Sequence, residues 1–115
     1  MKKTICFRYK NNKIHLVAEE CGFLKRFTGL MFATRKNARA LLFDFGKPNR
    51  MKIHSLFVFF PFFAVWLDEK NNVIDMKKIK PFALSACPKK PASKLVEIPI
   101  NKRYNSAVKY LHRRQ

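Results

Sequence analysis

Acidic residues, cysteine and glycine are all scarce in this chain, and each scarcity excludes something. Only seven Asp and Glu stand against twenty-five Lys and Arg, so few carboxylates are available to orient a histidine or to hold a metal ion. Three cysteines, Cys6, Cys21 and Cys87, form no Cys-x-x-Cys pair and have no histidine at finger-like spacing. Neither a disulfide framework nor a zinc site is signalled, and a reducing cytoplasm is the expected compartment. With only three glycines and 48% hydrophobic residues, the composition is that of a packed domain rather than a disordered tail. Long apolar runs are missing as well. Leu56 to Leu67 is twelve residues split by Pro61, well short of the roughly 20 that a spanning helix needs. Met1-Lys2-Lys3 starts like an export signal, but Arg8 interrupts the apolar stretch that would follow. The chain is therefore expected to stay inside the cell and not to span a membrane.

The length of 115 residues suits a single compact unit. Strand signals recur along it. Thr4 to Tyr9 and Lys13 to Ala18 flank Lys10-Asn11-Asn12 and read as a hairpin. Phe23, Phe27, Leu30 and Met31 predict a short helix near 22–31. Ala38 to Phe45 predicts a third strand, closed by a turn at Gly46-Lys47-Pro48-Asn49. Because Pro61 cannot donate to a ladder, the aromatic run predicts two strands, 52–59 and 62–68, with Phe57, Phe59, Phe60, Phe62 and Phe63 in the interior. The polar residues 68–72 turn the chain into a partner strand at 73–79, a long basic loop carries Pro81, Pro88 and Pro91, and 94–98 makes a last strand. Tyr104, Ala107, Val108 and Leu111 then fall on one stripe of a C-terminal helix near 102–113, with Asn101 placed to cap it. About seven short strands and two brief helices predict a mainly β (α+β) fold, a small β-sandwich or partly open barrel. Residues 1–100 form its β-rich body, and 101–115 a basic helix packed on or extending from it.

Several blocks match a family pattern in order. Phe27-Thr28-Gly29-Leu30-Met31-Phe32 is similar to an Arg-Gly-Leu-Met block, and Ala40-Leu41-Leu42-Phe43 to a Met-Leu-Phe block. Ile53-His54-Ser55-Leu56-Phe57-Val58-Phe59-Phe60-Pro61 with Val65-Trp66-Leu67-Asp68 is similar to the archaeal version of the central motif. With Pro81, Pro88-Lys89-Lys90-Pro91-Ala92 and Leu95-Val96-Glu97-Ile98-Pro99, the set resembles the domain-of-unknown-function-192 family over residues 12 to 100. That resemblance implies a mainly β, sandwich-like domain without an assigned biochemistry. Two departures follow from it. Phe63 stands where the family usually has an Asp, so any polar role of that Asp is lost, and Asn101 to Gln115 replaces a Gly-Asp turn and final strand.

The net charge of +18 is the footprint of a protein that meets a polyanion, with simple solvation of the surface as the plain alternative. From Lys77 onward eleven cations face Glu97 alone: Lys77, Lys78, Lys80, Lys89, Lys90, Lys94, Lys102, Arg103, Lys109, Arg113 and Arg114. These are the expected contact residues for RNA or a ribonucleoprotein, bound without catalysis. No catalytic constellation, metal set or cofactor motif is present in the sequence. A second reading is a ligand-binding or enzymatic pocket near His54 and Cys87. His54 sits in the central motif, although a histidine bonded to a backbone carbonyl explains it as well, and Cys87 lies among cations. A third is an adaptor that lays Tyr104, Val108 and Leu111 on a protein partner or an anionic membrane. Tyr9 and Tyr104 are the aromatics expected to face outward beside cations.

Overall fold

Lys10 and Asn11 both have positive φ, 48° and 67°, as the tight two-residue turn compatible with strand twist requires. They join β1 (Lys2–Tyr9) to β2 (Asn12–Glu20), with Tyr9 opposite Asn12 and Lys2 opposite Glu19. The computed structural model describes residues 2–21, 30, 34–50, 52–53, 58–83 and 85–114. Four more strands follow: β3 (Ala40–Asn49), β4 (Phe62–Leu67), β5 (Val73–Ile79) and β6 (Ala92–Pro99). A 3₁₀ turn at Lys102–Tyr104 then leads into helix α1 (Asn105–Arg114).

The strands form one sheet in the order β1-β2-β3-β6-β4-β5, antiparallel except for the β2–β3 pair. Its two edges curl toward each other. The Arg8 N–H of β1 donates to the Asn71 carbonyl at 2.9 Å, and Arg8 bridges Asn72 in the turn between β4 and β5. The result is a half-barrel. That turn is fixed by Asp68, whose Oδ1 accepts the N–H groups of Lys70 and Asn72 at 2.8 and 2.9 Å. Burial pushes the Asp68 pKa up, but the hydrogen bonds from Asn72 and Lys70 and the Lys70 charge outweigh it and hold the carboxyl below its usual value.

Period-two alternation gives the sheet two buried faces. On one, Ile5, Phe7, Ile14, Leu16, Phe63, Val65, Val96 and Ile98 receive Tyr104, Val108 and Leu111 from the C-terminal segment. On the other, Leu41, Phe43, Phe62, Ala64, Trp66 and Leu95 pack with Leu30, Ala38, Val58 and Phe60. β4 is buried on both sides along its whole length, which is why its sequence reads as an unbroken apolar run. Hydroxyls tie the helical segment down at both ends. The Ala40 N–H donates to Tyr104 Oη at 2.6 Å, and Tyr110 Oη donates to the Tyr9 carbonyl at 3.0 Å.

The structure departs from the sequence-based expectations in several places. Six strands are seen among the described residues rather than about seven. Half of the strand expected at 52–59, residues 54–57, lies outside the described residues; of its described part, Ile53 makes a single bridge with Ala86, and Lys52, Val58 and Phe59 lie outside any strand. The helix expected near 22–31 lies almost wholly outside the described residues. The turn expected at Gly46 to Asn49 is instead the end of β3. A break in register between Asp44 and Asn49 lets the chain pass Pro48 without a ladder N–H, and Gly46 takes up the bend at φ +77°. Asn101 places no side-chain cap on the helical segment; its Nδ2 donates to the carbonyls of Arg35 and Ala38 at 2.8 and 3.0 Å. Tyr104 does not face outward, because its ring and the side chains of Val108 and Leu111 are consumed by the core. The stripe is therefore closed to a protein partner or a membrane. Tyr9 is half-buried and packs against Tyr110, with ring centroids 6.2 Å apart.

Candidate functional site

Strand register brings four chain segments to one end of the sheet. β3 starts beside the end of β6, because Leu41 pairs with Glu97; β4 starts beside the same end, because Phe62 pairs with Pro99; and β5 stops there, because Ile79 pairs with Phe62. The segment 35–39 before β3, the segment 100–103 after β6, the segment 59–61 before β4 and the segment 80–82 after β5 therefore gather at that end. Hydrogen bonds lock two of these junctions. Arg35 Nε donates to the Ile100 carbonyl at 2.7 Å, and the Ile100 N–H donates to the Pro61 carbonyl at 3.2 Å.

Two concavities open there. One, of about 490 Å³, is lined by Lys2, His15, Val17, Glu19, Arg39, Lys102 and Arg103 together with the first turn of α1. The other, of about 840 Å³, is lined by Arg35, Lys36, Ile100, Asn101, Lys102, Asn105 and Val108. They share Lys102 and Asn105. The two adjoining concavities together make a basic hollow lined by six cations, with Glu19 the single carboxylate among the described lining residues. All six cationic residues are exposed. A concave wall of one sign concentrates field lines and attracts phosphate, sulfate or carboxylate groups.

The cations expected from the sequence are distributed more widely than one surface. Lys102 and Arg103 line the hollow. Lys77 reaches across its strand, with Nζ 5.9 Å from the Trp66 ring centroid and donating to the Cys87 carbonyl at 2.7 Å. The neighbouring Lys89 N–H donates to Asp75 Oδ2 at 2.9 Å, so the 87–89 loop is pinned to β5. Lys94 donates to Asn71 Oδ1 at 2.8 Å, at the far end of the sheet. Lys78 stands opposite Phe63 on the helix-bearing face, against whose ring His112 packs at 5.2 Å. Lys80, Lys90, Lys109 and Arg113 are exposed; Arg114 is the last residue of α1. Of the residues expected to form a pocket, His54 lies outside the described residues. Cys87 is half-buried, with Sγ 3.8 Å from Arg50 Nη2. Among the described residues no group of three His, Cys, Asp or Glu could hold a metal ion, and no helix is long and apolar enough to cross a membrane.

Sequence reasoning missed four of the six lining cations: Lys2, Arg35, Lys36 and Arg39. The one available signal was the cluster Arg35-Lys36-Asn37-Ala38-Arg39 in a stretch without periodicity. It also missed Glu97. This carboxyl is 5% exposed on β6, between Leu41 and Ala64 across the neighbouring strands, and Oε1 has no hydrogen-bond partner among the described residues. Burial pushes its pKa up to about 8, so it is largely protonated at neutral pH.

A UPF0127 protein of Thermococcus kodakarensis is 38% identical over 80 residues, 68% of this chain and 50% of that protein. One from Thermococcus gammatolerans is 34% identical over 80 residues, 68% of this chain and 51% of that protein. One from Pyrococcus furiosus is 35% identical over 79 residues, 67% of this chain and 66% of that protein. The match thus spans about half the length of the two Thermococcus relatives. Two crystal structures share the fold. A Sinorhizobium meliloti protein described as a candidate transcription regulator has a TM-score of 0.77 at 18% identity, over 97% of this chain and 87% of that one. A Novosphingobium aromaticivorans protein of unknown function has a TM-score of 0.73 at 13% identity, over 85% of this chain and 73% of that one. The family model for DUF192, an uncharacterised group, matches residues 9–109. This chain belongs to the DUF192 family.

Proposed function

We propose that this chain is a cytoplasmic, non-catalytic binding module whose basic hollow contacts the phosphates of RNA. The observation that carries the proposal is convergence. Lys2, Arg35, Lys36, Arg39, Lys102 and Arg103 come from three separate segments and line two adjoining concavities that share Lys102 and Asn105, with Glu19 the single carboxylate among the described lining residues. Charge kept only for solubility has no reason to collect in a concavity, where like charges repel one another. Phosphate neutralisation releases condensed counterions, so the affinity should depend steeply on salt and little on sequence. Six phosphate contacts correspond to a log–log salt slope of about −4 on single strands and about −5 on a duplex. Exposed Lys78, Lys90, Lys109 and Arg113 add to the long-range attraction.

The test is fluorescence anisotropy of a labelled structured RNA across a salt series. Tight binding at low salt that weakens along a steep log–log line supports the proposal. Absence of binding at the lowest salt overturns it.

A further inference from the structure

Phe59 and Phe82 are 59% and 56% exposed, in a chain whose described neighbours Phe60, Phe62 and Phe63 are almost fully buried. Their rings meet edge to face, 5.5 Å between centroids at 76°. Strand register explains the meeting. Phe62 pairs with Ile79, and the two exposed rings each lie three residues beyond that last pair. They extend from the same end of the sheet as the basic hollow, to which the Ile100 N–H to Pro61 carbonyl bond joins their segment.

Phe82 also holds φ +62°, directly after Pro81. A turn with Pro in second place normally gives such a third position to Gly or Asn, because L side chains adopt it reluctantly. Here the position carries a large apolar ring, and that ring is directed outward rather than into the core. Folding stability does not account for the choice, since a strained backbone and an exposed ring both oppose it.

We infer that Phe59 and Phe82 form a stacking corner for an unpaired base of single-stranded RNA, whose phosphates run into the basic hollow. The inference rests on the phosphate-binding proposal above and adds to it a preference for unpaired over paired strands. Every base has a π-face that stacks on an aromatic ring whatever its sequence, whereas a duplex keeps its base faces covered. An adjacent cationic surface is what a single strand needs and what a purely apolar protein partner would not use. Two rings also make a poor membrane anchor, which relies on a broader apolar face.

The experiment compares a short unstructured RNA, a blunt RNA duplex and phosphatidylserine vesicles as probes of the whole chain and its variants. Wild type is expected to bind the unstructured RNA more tightly than the duplex. Phe59→Ala and Phe82→Ala should each weaken the unstructured RNA about ten-fold while leaving duplex affinity and salt slope unchanged. Phe82→Trp should retain affinity, and its exposed indole should be quenched by the unstructured RNA; Trp66, 1% exposed, stays silent. Both alanine variants binding the unstructured RNA like wild type, or no quenching of Phe82→Trp, would overturn the stacking corner and leave phosphate binding standing. Loss of vesicle binding alone would overturn it in favour of a membrane contact. If wild type binds neither RNA at low salt, both proposals fall.

Discussion

Among the described residues, Glu97→Gln should change the pH dependence of folding most. The carboxyl is 5% exposed, faces Leu41 and Ala64 across its strand pairs, and has its pKa raised from 4.5 to about 8 by burial. The native state therefore keeps a proton that the unfolded state releases at any pH between those values. Below pH 4.5 both states are protonated and the stabilisation is fully present; it is lost progressively as pH rises from 4.5, and the loss is complete once pH has passed through 8. At about 1.4 kcal/mol per pH unit, the loss is about 3 kcal/mol by pH 7 and about 5 kcal/mol by pH 9. Against a total stability of roughly 5–15 kcal/mol, that is a large share. Glutamine has nearly the same shape and cannot ionise. Urea denaturation at steps from pH 5 to pH 9 gives the wild-type and variant stabilities, and their difference cancels the titration of exposed groups. Wild type should lose stability relative to Glu97→Gln on raising pH, until the variant is the more stable protein above pH 8. Parallel curves would mean that Glu97 ionises in the native state as freely as in the unfolded one.

Other perturbations test the packing. Leu111→Ala, at a side chain with no exposure, should cost about 2–4 kcal/mol in chemical denaturation, and deleting residues 101–115 should unfold the domain rather than merely weaken binding, as circular dichroism would show. Asp68→Ala removes the acceptor of the Lys70 and Asn72 N–H groups and should cost about 1–3 kcal/mol; because the folded-state pKa of Asp68 is lowered, its contribution is present above the usual carboxylate range and fades as pH falls through the depressed value. Phe82→Asn relieves the positive φ of an aromatic residue and should raise the midpoint of thermal unfolding, by about 1 kcal/mol of stability, while lowering affinity for unpaired RNA.

Much of the architecture is legible in the residues. Lys10-Asn11 announces its hairpin, Asp68 to Asn72 the next, and the Tyr104-Val108-Leu111 stripe its helix, because each depends on neighbours within a few positions. Where long-range pairing decides, the sequence is silent. Gly46-Lys47-Pro48-Asn49 has turn chemistry, yet Asn49 pairs with Ala92 in β6, a partner that local propensity does not reveal. Asn101 has the composition of a cap, but its amide is taken by the carbonyls of Arg35 and Ala38 instead. The candidate site shows the same limit. A count of cations pointed to the chain's last third, whereas register brings Arg35, Lys36 and Arg39 beside Lys102 and leaves Lys94 at the other end, bonded to Asn71. Phe59 reads as one more core aromatic in an apolar run, and only the start of β4 at Phe62 shows that it lies outside the sheet.

The most direct measurement separates the hollow from charge in general. Arg39, Lys102 and Arg103 line it, whereas Lys13, Lys47 and Lys70 are exposed elsewhere. Two triple variants, each replacing one of these sets with alanine, lose the same formal charge. In low-salt RNA binding, the Arg39/Lys102/Arg103 variant should lose about a hundred-fold in affinity and flatten the log–log salt slope by about 2 to 3, while the Lys13/Lys47/Lys70 variant should stay within a few-fold of wild type. Equal losses in the two would show that net charge, and not the hollow, attracts RNA.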